Sequence, residues 1–190
     1  MPCGRILSHE VPAALSDETV AEALAQLQSW RLEKALAFKR PLDRYLCAEA
    51  FLLLKKALRE AYGLAEEFTF VYGPAGKPAL KEHPEIHFNL SHCGSCVCCI
   101  VSSSPVGIDV EDIQYDPDLA RAVCNAAELE AIADAESPDI EFTRLWTMKE
   151  SFLKLTGEGM VDDLKNLLSR PQLPDFDIKI NAGHVMCSAQ

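Results

Sequence analysis

Gly107-Ile108-Asp109-Val110-Glu111 admits one regular conformation. Apolar and acidic residues alternate singly, so only an extended strand sends Ile108 and Val110 into a core while Asp109 and Glu111 project together from the opposite side. A later segment, Trp146-Thr147-Met148-Lys149-Glu150-Ser151-Phe152-Leu153-Lys154, carries the other period. There a spacing of four brings Trp146, Glu150 and Lys154 onto one helical face. A strand presenting two acids and a helix presenting a third, with a cation one turn on, commit the chain to a mixed α+β fold. Three acids beside a cation suit a hard metal ion holding phosphate.

The rest of the chain reads as two rounds of the same grammar. Ser16-Asp17-Glu18-Thr19 caps an amphipathic helix through about Gln28. A longer helix over 43–62 follows, with Leu46, Ala50, Leu53 and Leu54 at helical intervals and Gly63 where it stops. Strands are predicted at 68–71, 86–90 and 97–101, separated by the turn formers of 73–78 and 93–95, and a short apolar stretch at Ile6-Leu7 precedes them all. The second half opens with a strand at 106–110 and continues with helices at 117–124, 126–133 and 140–155, the last stopped by Gly157-Glu158-Gly159. Two closing strands at 177–180 and 184–188 are joined by the hairpin turn Asn181-Ala182-Gly183. With 190 residues, 48% of them hydrophobic, the chain has material for a substantial core. The expected organisation is two small α+β lobes, residues 1–104 and 105–190, with the seam at Ser102-Ser103-Ser104-Pro105.

A net charge of −11 excludes a nucleic-acid backbone reader as the main role. The charge is unevenly spread. Residues 31–59 hold eight Lys/Arg against three acids, a stretch suited either to an anion or to a solvated helix face; residues 109–141 hold eleven acids against Arg121 alone. The start at Met1-Pro2-Cys3 leads into no apolar run, and no stretch is long enough to cross a bilayer, so the chain is expected in the cytoplasm, off the membrane, with reduced thiols. Cys93-x-x-Cys96 beside His92 is the one pattern that competes for a metal or redox reading. It has no second pair, and a strand would send Cys98 and Cys99 to opposite faces, so these cysteines are read as small hydrophobes.

Taken together, Gly76-Lys77-Pro78, Phe88-Asn89-Leu90-Ser91-His92, Gly107-Ile108-Asp109-Val110-Glu111 and Trp146-x-x-Lys149-Glu150-Ser151-Phe152-x-Lys154 resemble, in order and spacing, the Sfp-type 4′-phosphopantetheinyl transferases. The resemblance runs from about Arg31 to Gly159. It implies a pseudo-twofold fold that binds coenzyme A and Mg²⁺ between its lobes and moves the phosphopantetheine arm onto a serine of an apo acyl or peptidyl carrier protein, releasing 3′,5′-ADP. It assigns Asp109, Glu111 and Glu150 to the metal, Glu150 also to the serine proton, and Lys154 to the phosphates, with Lys149 a weaker second. His92 and Arg44 fall at the 3′-phosphate and adenosine end, Ser91 and Lys77 in the same nucleotide pocket, and Arg31 and Lys34 near it. A single chain encloses such a site, which implies a monomer.

Two departures accompany the likeness. The family usually has serine or a similar residue where Cys93 sits, and only residues 160–190 follow the helix stop, so the second lobe is expected to be shortened. Trp146 is read as core or pocket wall. Two other functions stay open on sequence: a Mg²⁺-dependent pyrophosphohydrolase acting on coenzyme A without an acceptor, and a non-catalytic module that binds coenzyme A or a carrier.

Overall fold

The computed structural model describes residues 4–159 and 161–190, which leaves Met1-Pro2-Cys3 and Met160 outside the described residues. Strand β1 (Arg5–Glu10) opens the chain, followed by helices α1 (Asp17–Ala25), α2 (Ser29–Leu36) and α3 (Pro41–Tyr62). Strands β2 (Phe70–Tyr72), β3 (Pro78–Leu80), β4 (His87–His92), β5 (Cys96–Ser102) and β6 (Gly107–Asp112) come next. Helices α4 (Pro117–Val123), α5 (Ala126–Asp134) and α6 (Pro138–Thr156) and strands β7 (Phe176–Ile180) and β8 (His184–Ala189) complete it. The result is the mixed α+β architecture that the sequence predicts.

Local chemistry sets the boundaries. Ser16 caps α1 by accepting from the Thr19 backbone N–H, and Asn125 and Glu128 form a reciprocal capping box on α5. Gly63 and Gly157 end α3 and α6 at φ 71° and 70°, a left-handed cap that a side chain would strain. Helix α2 has no counterpart among the predicted elements. Its start has no side-chain cap, and the two residues it buries are the charged Arg31 and the small Ala35. Strand β1 is a half-exposed edge strand, and β3 begins at Pro78 inside what reads as a turn cluster, which a two-stranded sheet tolerates.

Two three-stranded antiparallel sheets carry the site, in the orders β1-β5-β4 and β6-β8-β7. Strand β5 is buried throughout because both of its faces are covered. Val97, Cys99 and Val101 face α3 and the aromatic residues Phe51, Phe68 and Phe88, whereas Cys96, Cys98 and Ile100 join Val106, Ile108, Val110 and Met186 from the second half of the chain. That second cluster crosses the expected seam, so apolar packing joins the halves directly. All seven described cysteines are buried and unpaired, in keeping with the expected reduced thiols.

Candidate active site between the two sheets

The two sheets meet at β4 and β6, and side chains make the junction. Strand β6 pairs with β8 on one side only, which leaves outward N–H groups on its other edge in need of acceptors. Asn89 Oδ1 accepts from Ile108 N at 2.9 Å, and Ser91 Oγ accepts from Val110 N at 3.4 Å. Asn-x-Ser on β4 therefore stitches the edge of β6 and fixes which face of β6 looks back into the seam.

Helix α6 covers β6 at very short range. A Cβ placed on Gly107 would lie 2.0 Å from the Ser151 carbonyl oxygen and 2.5 Å from the Leu155 nitrogen, both backbone atoms that cannot step aside. Glycine at this point lets the helix come close enough for Lys154 to reach Asp109. Lys154 Nζ donates to Asp109 Oδ1 at 2.5 Å and to Ser91 Oγ at 2.9 Å, while Ser91 Oγ itself donates to the same Oδ1 at 2.8 Å. Asp109 is 2% exposed, and its second oxygen, Oδ2, is buried without a hydrogen-bond partner. A charged oxygen left that way costs free energy unless something else compensates it.

Glu111 and Glu150 line the same cavity, of about 290 Å³, with Asp109, Ser91, His92, Lys154 and Arg31. Burial, and then the negative charge of Asp109, push the Glu111 carboxyl up to about 7; the Trp146 indole and Lys154 oppose the rise. Burial and Asp109 raise Glu150 as well, against Lys154. Three carboxylates thus share one partly desolvated space with a single direct ammonium partner. The chemistry of this donor set fits a hard divalent cation with oxygen ligands, and the orphaned Asp109 Oδ2 is the most direct sign. The three carboxylates do not close into a tight cage. Among the described residues, the only group of three His, Cys, Asp or Glu donors mutually within 4.8 Å is elsewhere, at Glu10, Cys96 and His184. The wider spacing leaves room for water or phosphate oxygens among the acids.

A second cavity, of about 310 Å³, continues from the first past the shared Leu90, Glu150 and Lys154 to Ala75, Gly76, Lys77, Pro78, Asn89, Gly157 and Gly159. Lys77 lines it with its stem, but its ammonium donates to the carbonyls of Val106 and Leu155, each at 3.0 Å. This lysine, expected at a nucleotide, ties the loop before β3 to the second half of the chain, and burial lowers its pKa.

The other expected cations divide. Arg31 lines the acidic cavity, buried, with Nη2 donating to the Cys47 carbonyl at 3.0 Å, its guanidinium over Phe51 and its Nε without a partner. His92 is exposed at the rim of the same cavity. Arg44 donates to the Phe38 carbonyl at 2.8 Å and Lys34 lies over the Tyr72 ring, and neither lines the acidic cavity. Lys55, Lys56 and Arg59 line a different cavity with His9, Glu49 and Glu60. Of the eight cations in residues 31–59, therefore, only Arg31 lines the cavity that holds the carboxylates.

Lys149, expected as a second phosphate cation, is instead fully buried. Its ammonium bonds the Val123 carbonyl at 2.7 Å, Glu128 Oε2 at 2.7 Å and the Leu164 carbonyl at 2.9 Å. It holds α5 and the segment after α6 onto the helix. Sequence reasoning missed the junction role of Asn89, although Asn-x-Ser alternating on a strand beside an unpaired edge is a signal that could have revealed it.

The chain is similar to known proteins over most of its length. The sequence signature of the 4′-phosphopantetheinyl transferase superfamily (ACPS) matches residues 105–183, which include all three carboxylates and Lys154. The chain is 34% identical over 164 residues to the 4′-phosphopantetheinyl transferase psf-1 of Bacillus pumilus, an alignment covering 82% of this chain and 70% of that protein. It is 33% identical over 168 residues to a 4′-phosphopantetheinyl transferase of Bacillus subtilis, covering 85% and 70%. To the 4′-phosphopantetheinyl transferase gsp of Aneurinibacillus migulanus it is 35% identical over 135 residues, covering 67% and 56%.

Proposed function

Because the chain belongs to the 4′-phosphopantetheinyl transferase superfamily, we propose that it moves the 4′-phosphopantetheine arm of coenzyme A onto a serine hydroxyl of an apo acyl or peptidyl carrier protein, with 3′,5′-ADP leaving. The observation that carries the reading at residue level is the Asp109 carboxylate, one oxygen held by Lys154 and Ser91 and the other buried and unpaired, in a cavity shared with two acids of raised pKa.

In this proposal Asp109, Glu111 and Glu150 hold Mg²⁺, which when bound neutralises and orients the pyrophosphate oxygens of coenzyme A. Asp109 serves through its unpaired Oδ2, because Oδ1 is committed to Lys154 and Ser91. Lys154 keeps one ammonium N–H beyond its two bonds, and that proton stabilises charge developing on the leaving phosphate. Glu150, which lines the same cavity, accepts the proton of the carrier serine. The cavity past Leu90 and Lys154 takes the rest of coenzyme A, with His92 and Arg31 on the side of its nucleotide phosphates.

Residues 1–104 supply the nucleotide side and residues 105–190 the metal and base, within one chain acting as a monomer in the cytoplasm. No helix among the described residues is long and apolar enough to cross a membrane. The test is incubation with coenzyme A and a panel of apo carriers, with and without Mg²⁺. A phosphopantetheine adduct on the carrier serine, formed only with the metal, is the expected result. Release of 3′,5′-ADP at the same rate without any carrier would refute transfer as the reaction.

A further inference from the structure

At the strand ends just beyond His92 and Glu111 of the acidic cavity, a second donor set comes together from three strands. Glu10 ends β1 and lies directly across from Cys96, the first residue of β5, while His184 starts β8 opposite Asp112 of β6. One ligand atom from each of Glu10, Cys96 and His184 lies within 4.8 Å of the other two. His184 is 2% exposed and Cys96 fully buried, whereas the Glu10 side chain is 71% exposed. The set contains sulfur, nitrogen and oxygen, unlike the all-carboxylate cavity.

The surroundings of His184 fix its tautomer. Ser95 Oγ donates to Asp112 Oδ1 at 2.6 Å, so towards His184 Nδ1, 3.4 Å away, the same hydroxyl can only accept. Nδ1 therefore carries the proton and Nε2 the lone pair. The Asn181 amide nitrogen lies 2.9 Å from Nε2 and donates to it, and Glu10 Oε1 lies 3.8 Å from the same nitrogen. A chain from imidazole N–H through hydroxyl to carboxylate is the kind of outer support that orients a metal-bound histidine and raises its basicity. Asp112 is itself anchored by the Gly94 and Ser95 backbone N–H groups at 2.8 and 3.1 Å.

Cys93 is a second thiol beside the set, outside its mutual 4.8 Å grouping. It faces Cys96 across the turn Gly94-Ser95, closed by the bond from Cys93 N to Cys96 O at 2.8 Å, and both cysteines belong to the same buried cluster. Thiolate, imidazole and carboxylate together select a borderline divalent ion and discriminate against Mg²⁺, which prefers oxygen alone. We propose that Cys96, His184 and Glu10, with water as the fourth ligand, bind one zinc-class ion that staples β1 and β5 of the first sheet to β8 of the second. On binding, the ion displaces the Asn181 amide from Nε2 and the Cys96 proton passes to solvent, leaving a thiolate neutralised by the metal. This assignment does not depend on the transferase reading.

Cobalt(II), titrated into the reduced and metal-stripped full chain in excess Mg²⁺, tests it. The expected result is a thiolate-to-cobalt charge-transfer band that saturates at one ion per chain and is bleached by zinc. Cys96→Ser abolishes the band, and Glu10→Gln, at an exposed side chain that leaves folding intact, weakens binding on the order of tenfold or more. Glu111→Gln and Glu150→Gln leave the band unchanged, which separates this site from the acidic cavity. Absence of the band in the folded wild type, or a band of equal affinity in Glu10→Gln and in Cys96→Ser or His184→Gln, overturns the proposal.

Discussion

Replacing Glu111 by glutamine should make the metal-free protein more stable at neutral and alkaline pH, and the gain should disappear in acid. Folded Glu111 keeps its proton up to about 7, because burial and the neighbouring Asp109 disfavour its charge, while in the unfolded chain it titrates near its ordinary value of 4.5. Between those two values the native state binds more protons than the unfolded state, so stability falls as pH rises through that window and the loss is complete above it. At 1.36 kcal/mol per pH unit the difference between 4.5 and about 7 corresponds to ~3 kcal/mol. Partial solvation and the coupled titration of Glu150 reduce this, so ~2 kcal/mol is the expected gain for Glu111→Gln at pH 8. In a chain of this size that is a rise of roughly 4–8 °C in Tm. Thermal unfolding of both proteins from pH 4.5 to 8.5 in chelator measures it. Adding Mg²⁺ at pH 8 should stabilise the wild type more than the variant, since the ion offsets the repulsion that the substitution removes. Parallel Tm curves for the two proteins across the whole range would refute the claim that Glu111 is held in a charge-poor, acid-crowded site.

Glu150→Gln should lower carrier modification by roughly 10²–10⁴-fold while coenzyme A binding, read by calorimetry, persists; unchanged turnover would remove Glu150 as the base. Lys149→Met should cost ~3–5 kcal/mol in urea unfolding, because the carbonyls of Val123 and Leu164 lose their donor inside the fold, and a cost below ~1 kcal/mol would show that the buried ammonium is dispensable. Gly107→Ala should destabilise by ~3 kcal/mol and reduce activity further than the folded fraction explains, since the added methyl drives α6, with Glu150 and Lys154, away from Asp109. Folded Gly107→Ala protein with wild-type turnover would contradict that account.

The alternation at 107–111 and the fourfold spacing at 146–154 determined, without any structure, that Asp109 and Glu111 share a strand face and that Glu150 and Lys154 share a helix face. Both patterns are local consequences of backbone period, which is why sequence suffices for them. Which lysine meets which partner was decided only by packing. Lys149 and Lys154 stand in one motif, five residues apart, yet that offset turns one into the interior beside Glu128 and the other into the cavity beside Asp109. Lys77 reads as a turn lysine or a phosphate ligand, and becomes a tie to two carbonyls because β6 and the end of α6 arrive beside it from distant parts of the chain. Likewise Cys93-x-x-Cys96 lacks a second pair in sequence, and the partners of Cys96, Glu10 and His184, come from strands 86 and 88 residues away, Glu10 by strand register and His184 by the meeting of the two sheets. Period fixes the direction of a side chain within its own element; what that side chain faces depends on long-range contacts that no local pattern encodes.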